Sequence, residues 1–209
     1  MGGITGAAGS DVTGQHHPAI TITGGDNATL SRLNISGTSV TEGNGAGVSA
    51  MGTNETPLER LTIDGCTFSG NTVGDNYQIP GYGGGLFAAY VSDIRITGCA
   101  FSDNYAGASG GGGAYIQESG VEMQDCTFSE NSADLHGGGA YFDATDSVIT
   151  NTLFTENSIM YGDGGGVTFC NGDTNLTNTT ISENIGGSFG GGGLFPECGC
   201  RDHRLRYLV

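Results

Sequence analysis

Four acidic residues recur at one position of a repeated motif and could together bind a cation. The motif reads Phe or Ile, then Ser or Thr, then an acidic residue, then Asn, and its acidic members are Asp103, Glu130, Glu156 and Glu183. Like charges stacked in a line require either solvent or a cation, and carboxylate oxygens are ligands that Ca²⁺ prefers. The sequence leaves two alternatives open, a solvated acidic edge and a calcium site, and it predicts no other cofactor.

A second recurring set is aromatic and follows a triplet of glycines. The triplets lie at 83–85, 111–113, 137–139, 164–166 and 191–193. The second residue after the triplet is aromatic in four copies, at Phe87, Tyr115, Tyr141 and Phe195. If the first residue after each triplet points inward, the second points outward, so we expect an exposed aromatic platform that contacts a sugar ring or a partner strand. Packing between strands alone is the alternative.

Three cysteines, Cys66, Cys99 and Cys126, each lie two residues before the Phe of the motif. Equivalent atoms of neighbouring strands are about 4.8 Å apart, so the three thiols should form a buried inward line. The same spacing is compatible with a disulfide, which remains the alternative. Cys170 and Cys198 take nearly matching places in successive copies and are the better candidates for a disulfide bond.

No catalytic residue is predicted. Before residue 197 the only arginines are Arg32, Arg60 and Arg95, and they do not share one position of the repeat, as the base of a polysaccharide lyase beside clustered carboxylates would require. His136 before a glycine triplet resembles a lipase oxyanion loop, but it is one copy of the repeat. Insertions at 49–58 and 72–82 are where a repeat protein usually places recognition, so a polysaccharide-active enzyme with its site there is the alternative function.

The charge excludes two classes of partner. The 209 residues carry a net charge of −16, with six arginines and no lysine. A nucleic-acid-binding protein needs a basic stripe, and an anionic membrane surface attracts basic segments, so neither partner is expected. The sequence contains no run of about 18 apolar residues, the length that a membrane-spanning helix needs. Met1 to Gln15 lacks the basic and apolar regions of a signal peptide, so no export signal is visible.

The elements that position these residues follow from the period of the repeat. The Asn residues of its last four copies, Asn104 to Asn184, are 27, 26 and 27 residues apart, and successive glycine triplets begin 28, 26, 27 and 27 residues apart. Such a period without a helical pattern is typical of a stacked β-solenoid. We therefore predict an all-β, right-handed parallel β-helix with three short strands and three corners in each coil of about 27 residues. The residues that define the repeat are Phe68, Asn71, Phe101, Asn104, Phe128, Asn131, Phe154, Asn157, Ile181 and Asn184.

The domain organisation follows from where the repeat is regular. We predict an irregular lead-in over 1–18, one β-helix domain over 19–196 and a tail outside the repeat over 197–209. Within the β-helix, the coils are degenerate to about residue 60 and regular over 60–196. We expect the protein to be a monomer.

The paired motif carries a family resemblance. Gly112-Gly113-Ala114-Tyr115 and Gly138-Gly139-Ala140-Tyr141, each preceded by Phe-x-x-Asn, resemble the passenger repeats of the chlamydial polymorphic outer membrane proteins. The resemblance covers about residues 60–195 and implies an autotransporter-like passenger fragment. It also implies an extracellular or outer-membrane location and a non-catalytic role in adhesion or glycan contact with a host or cell-surface ligand. A purely structural spacer is the third possibility.

Overall fold

The computed structural model describes residues 17–74, 81–107 and 109–187, and it describes the backbone of the strands Gly2–Val12, Leu194–Pro196 and Arg204–Leu208. Every regular element in these residues is a β-strand, and every pair of strands is parallel. Within this part of the chain, no helix is long and apolar enough to cross a lipid bilayer. The architecture is a parallel β-helix, as predicted.

Three stacked sheets form the walls of the solenoid. The first sheet has thirteen strands: Gly2–Val12, Asn27–Ser36, Leu58–Asp64, Thr67–Ser69, Val91–Thr97, Ala100–Ser102, Gly120–Gln124, Thr127–Ser129, Asp146–Thr150, Leu153–Thr155, Asp173–Thr177, Thr180–Ser182 and Arg204–Leu208. The second sheet has five: Ser39–Val40, Thr72–Val73, Tyr105–Ala106, Ser132–Ala133 and Ser158–Ile159. The third sheet has seven: Ile20–Thr23, Val48–Met51, Leu86–Ala89, Ala114–Gln117, Ala140–Asp143, Val167–Cys170 and Leu194–Pro196. A separate pair joins Gly43–Asn44 to Gly81–Tyr82.

Residues that tolerate the left-handed region make the corners. The first corner divides the first sheet and carries Gly65, Gly98, Asp125, Asn151 and Asn178, all with φ between 48° and 60°. The second corner carries Gly37, Gly70, Asp103, Glu130, Glu156 and Glu183, with φ between 55° and 64°. The acidic residues of the repeat therefore occupy a backbone position where the two earlier coils use glycine.

The interior is filled by identical residues stacked from coil to coil. The rings of Phe68, Phe101, Phe128 and Phe154 are fully buried, and neighbouring centroids lie 4.4, 4.4 and 4.8 Å apart with nearly parallel planes. Because the coil spacing is close to the stacking distance of aromatic rings, in-register phenylalanines pack face to face. The core therefore depends on the period of the repeat as much as on its hydrophobicity.

An asparagine ladder, formed by Asn71, Asn104, Asn131, Asn157 and Asn184, runs along the second corner. The Nδ2 of each residue donates to the Oδ1 of the next at 2.9 Å. Each Oδ1 after the first also accepts the backbone N–H of the preceding asparagine, at 2.9 to 3.1 Å. The ladder satisfies polar groups that the corner would otherwise bury without partners.

One strand lies in each of the two segments predicted to flank the β-helix domain, the lead-in over 1–18 and the tail over 197–209. Gly2–Val12 pairs with Asn27–Ser36, and Arg204–Leu208 pairs with Asp173–Thr177. A parallel sheet that ends in mid-solenoid offers unpaired backbone N–H and C=O groups, and an extended segment can pair with them without the side-chain pattern of the repeat. The first sheet therefore continues into both ends of the chain.

Candidate functional site

The predicted aromatic set forms a ladder, but it is not the exposed platform expected from the sequence. Phe87, Tyr115 and Tyr141 are only 4, 6 and 8 % exposed. Their rings stack at 5.7 and 5.0 Å with interplanar angles of 19° and 22°, so their faces cover one another and only their edges point outward. Thr168 takes the equivalent place in the next coil and ends the ladder. The side chain of Phe195 lies outside the described residues.

A cleft of about 240 Å³ opens along the edge of the aromatic ladder. Its lining residues are Tyr82, Ser109, Gly110, Tyr115, Leu135, His136 and Tyr141. Tyr82 meets Tyr115 edge to face at 4.7 Å, and the ring of His136 is tilted against Tyr141 at 5.7 Å. The cleft therefore has aromatic walls from three coils and lies beside Tyr82, at the end of the 72–82 insertion.

Backbone pairing between corners places His136 at the cleft. Gly110 pairs with His136, and His136 pairs with Asp163, in isolated parallel bridges between successive coils. The His136 N–H donates to the Ser109 carbonyl at 3.2 Å, and the Gly111 N–H donates to the His136 carbonyl at 3.0 Å. Gly111 has a φ of 71°, and a Cβ there would lie 2.4 Å from the Ala114 carbonyl oxygen, so the corner can approach the third sheet only with glycine at this position.

Two buried polar atoms near the cleft have no hydrogen-bond partner within the described residues. They are His136 Nδ1 and Asp163 Oδ1, which belong to residues in register on neighbouring coils. Buried polar atoms in native proteins are almost always paired with protein, water or ligand. His136 lines the cleft, so a molecule bound there is a suitable partner for its Nδ1.

The electrostatic surroundings of the cleft are acidic. The Tyr115 hydroxyl donates to Asp143 at 3.4 Å, and burial together with Asp143 raises the pKa of Tyr115. The Tyr105 hydroxyl donates to Asp134 at 3.0 Å, and burial together with that carboxylate raises the pKa of Tyr105 to about 12. Both phenols therefore stay protonated and act as hydrogen-bond donors at neutral pH.

None of the described arginines lines the cleft. Five of the six arginines lie in strands of the first sheet, at positions 32, 60, 95, 204 and 206, and Arg201 lies outside the described residues. Arg60 pairs with Asp93 at 2.7 Å, and Arg95 lies 3.5 Å from Asp93 and 3.4 Å from Glu122. A second depression, of about 230 Å³, lies on that sheet beside Arg95 and is lined also by Val148. The described arginines are thus on the first sheet, whereas Tyr115 and Tyr141 of the cleft are on the third.

The acidic ladder, formed by Asp103, Glu130, Glu156 and Glu183, is exposed along its whole length. Among the described residues, no three His, Cys, Asp or Glu side chains come together as ligands of a metal ion. The structure brings the four carboxylates into one line at the second corner, where each adjoins solvent. Calcium binding at the acidic ladder stays a prediction.

The cysteine line is a buried structural feature. Cys66, Cys99 and Cys126 are buried free thiols, as the main expectation had it. The Cys66 N–H donates to Cys99 Sγ at 3.4 Å. Hydrogen bonds to the thiols of Cys126 and Cys66, together with burial, raise the pKa of the Cys99 thiol. Cys170 packs against the aromatic ladder, and Cys198 lies outside the described residues.

Sequence reasoning named Tyr115 and Tyr141 as candidate binding residues, but it missed Tyr82, Ser109 and Leu135, which also line the cleft. Ser109 is the centre of a Gly-x-Ser-x-Gly pattern, Gly107 to Gly111, that the sequence analysis did not use. In hydrolases this pattern forms a turn between a strand and a helix, whereas here it lies between the strands Tyr105–Ala106 and Ala114–Gln117, so it supports no catalytic argument. The 49–58 insertion contributes no residue to the cleft lining, and residues 75–80 of the other insertion lie outside the described residues.

The family model for the right handed beta helix region matches residues 18–200. No curated protein matches the chain. No solved structure matches it either.

Proposed function

Because the chain belongs to the right-handed β-helix family, we propose that it is a non-catalytic surface or secreted β-helix protein that binds a glycan at the cleft. The observation that carries this proposal is the set of aromatic walls around His136, whose buried Nδ1 has no partner within the described residues. Aromatic side chains with polar tips suit sugars, since a sugar presents both C–H surface and hydroxyl groups.

The dimensions of the cleft suit one sugar unit. Pockets for drug-sized molecules are typically about 300–1,000 Å³, so a cleft of about 240 Å³ holds a single ring of a longer chain. Because the faces of Tyr115 and Tyr141 are covered by stacking, the ring contacts their edges and lies between Tyr82 and His136. The rest of the glycan extends along the solenoid.

The location outside the cell is supported by composition and by the repeat. A net charge of −16 keeps an exposed protein soluble and is a poor match to nucleic acid. The resemblance to passenger repeats of surface proteins supports display on an outer membrane or secretion. Adhesion follows if the glycan belongs to another cell.

A glycan array with the purified chain tests the proposal. We expect binding to a defined group of glycans, and calorimetry should show that Tyr82→Ala and His136→Ala weaken it at least fivefold. The control is Val148→Ala, a truncation of an exposed side chain on the first sheet, which should bind normally. If no glycan binds at millimolar concentration while the melting temperature is normal, the spacer alternative replaces the proposal.

The enzyme alternative has one observation in its favour, since Ser109 and His136 share the cleft. No hydrogen bond joins their side chains within the described residues, and in many enzymes such a bond forms only when substrate binds. Incubation of each bound glycan with the protein, followed by mass spectrometry, separates the two functions. Cleavage that disappears in Ser109→Ala would establish an enzyme.

A further inference from the structure

We infer that the cleft selects a sugar that donates hydrogen bonds and carries no anionic group, that is, a neutral or an amine-bearing sugar rather than a uronic acid. The inference rests on the proposed function and deepens it by naming the class of glycan. Three features carry it: the acceptor atoms without a partner among the described residues, the nearby carboxylates and the placement of the described arginines on the first sheet.

The first feature is the chemistry of the unpartnered atoms. Asp163 Oδ1 belongs to a carboxylate, which when ionised only accepts hydrogen bonds, and His136 Nδ1 accepts one whenever its proton is on Nε2. The two residues are in register on successive coils, so the acceptors belong to one corner of the solenoid. A partner that satisfies acceptors must supply donors. Sugar hydroxyl and ammonium groups both do so, whereas the carboxylate of a uronic acid does not.

The second feature is the negative charge around the cleft. Asp134 precedes the lining residue Leu135 in the sequence, and Asp143 accepts a hydrogen bond from the hydroxyl of the lining residue Tyr115. Asp163 forms a backbone bridge with His136. Asp134 is almost fully buried, and a buried carboxylate is poorly screened by salt. These nearby carboxylates therefore repel an anionic ligand and attract a cationic one.

The third feature is the placement of the positive charge. Recognition of a carboxylate normally uses an arginine fork, and none of the described lining residues is an arginine. The described arginines lie on the first sheet, and Arg95 adjoins the depression there. A uronic acid would bind beside Arg95 in preference to the cleft.

Titration calorimetry at pH 7 with three trisaccharides of equal length tests the inference: a neutral hexose chain, a glucosamine chain and a galacturonic acid chain. We expect the neutral or the amine-bearing chain to bind the wild type at least tenfold more tightly than the uronic acid chain. Asp163→Asn keeps an acceptor oxygen but removes the charge. It should weaken binding of the glucosamine chain at least fivefold and change the affinity for the neutral chain less than twofold.

Two variants assign any uronic acid binding to a place. Binding that is lost in Tyr82→Ala and kept in Arg95→Ala would put the uronic acid in the cleft and overturn the inference. The reverse pattern would put it beside Arg95 and support the inference. If none of the three chains and no other glycan binds, the proposed function itself is wrong, and the inference is withdrawn with it. Each variant must melt within a few degrees of the wild type to be counted.

Discussion

Replacing Asn131 by Ala should destabilise the protein more than almost any other polar substitution in the chain. The Asn131 amide is fully buried and makes four hydrogen bonds. It donates to the Phe101 carbonyl and to Asn157 Oδ1, both at 2.9 Å. It accepts from the Asn104 N–H at 3.1 Å and from Asn104 Nδ2 at 2.9 Å. All four bonds are lost when the side chain is truncated.

The expected magnitude follows from which groups lose their partners. Asn104 Nδ2 still donates to the Phe68 carbonyl, and Asn157 Oδ1 still accepts from the Asn131 N–H. The Asn104 N–H loses its acceptor inside the solenoid, which costs about 1–3 kcal/mol. The three other bonds contribute about 1 kcal/mol each. The free energy of unfolding should therefore fall by about 4–6 kcal/mol.

Urea denaturation followed by circular dichroism measures this loss, with Asn184→Ala as the matched control. Asn184 is the last member of the asparagine ladder and is only partly buried, so water can replace its bonds. We expect Asn184→Ala to cost less than half as much as Asn131→Ala. Equal losses, or a loss below about 1 kcal/mol for Asn131→Ala, would show that the ladder does not stabilise the coils as argued.

Four further experiments test other parts of the structure. Phe128→Ala should cost about 3–5 kcal/mol in urea denaturation because its ring is stacked on both faces, whereas Thr127→Ala on the outer surface should cost less than about 1 kcal/mol. Glu130→Gly should raise the free energy of unfolding by about 1 kcal/mol because φ is 57° there. Millimolar Ca²⁺ should raise the melting temperature of the wild type but not of Glu130→Gln with Glu156→Gln, and an equal response of both proteins to Ca²⁺ and to NaCl would make the acidic ladder a solvated edge. The folded state raises the pKa of Tyr105 from 10 to about 12, so the protonated phenol contributes to the free energy of unfolding below pH 10. This contribution is lost as the pH rises towards 12. Tyr105→Phe should therefore flatten the dependence of the free energy of unfolding on pH over this range.

The sequence predicted the coil because the period of a solenoid constrains every copy at once. Phe128 and Asn131 recur at fixed offsets, so stacking of each on its equivalents follows from the spacing alone. The glycine that opens each triplet was equally informative, because a Cβ at Gly111 or Gly137 would collide with a carbonyl oxygen. These residues indicate backbone positions that recur in every regular coil.

The cleft could not be predicted in the same way, because it depends on how neighbouring segments cover an outward side chain. The alternation of inward and outward residues along a strand correctly predicted that Tyr115 and Tyr141 point away from the core. It could not show that two rings one coil apart would stack and bury each other's faces. His136 and Ser109 enter the cleft through a corner whose path is set by bridges between coils. Nothing in the local sequence around either residue indicates that path.

The asparagine ladder also bears on how such a chain changes in length over evolution. From Asn71 to Asn157, each Nδ2 donates to the Oδ1 of the next asparagine and to a backbone carbonyl of the preceding coil. Successive coils therefore meet through the same donors and acceptors. A duplicated segment of 26 or 27 residues would meet both neighbours with the contacts they already make. The gene can therefore grow or shrink by whole coils without a new core, and each added coil moves the cleft about 4.8 Å farther from the coils on the other side of the insertion.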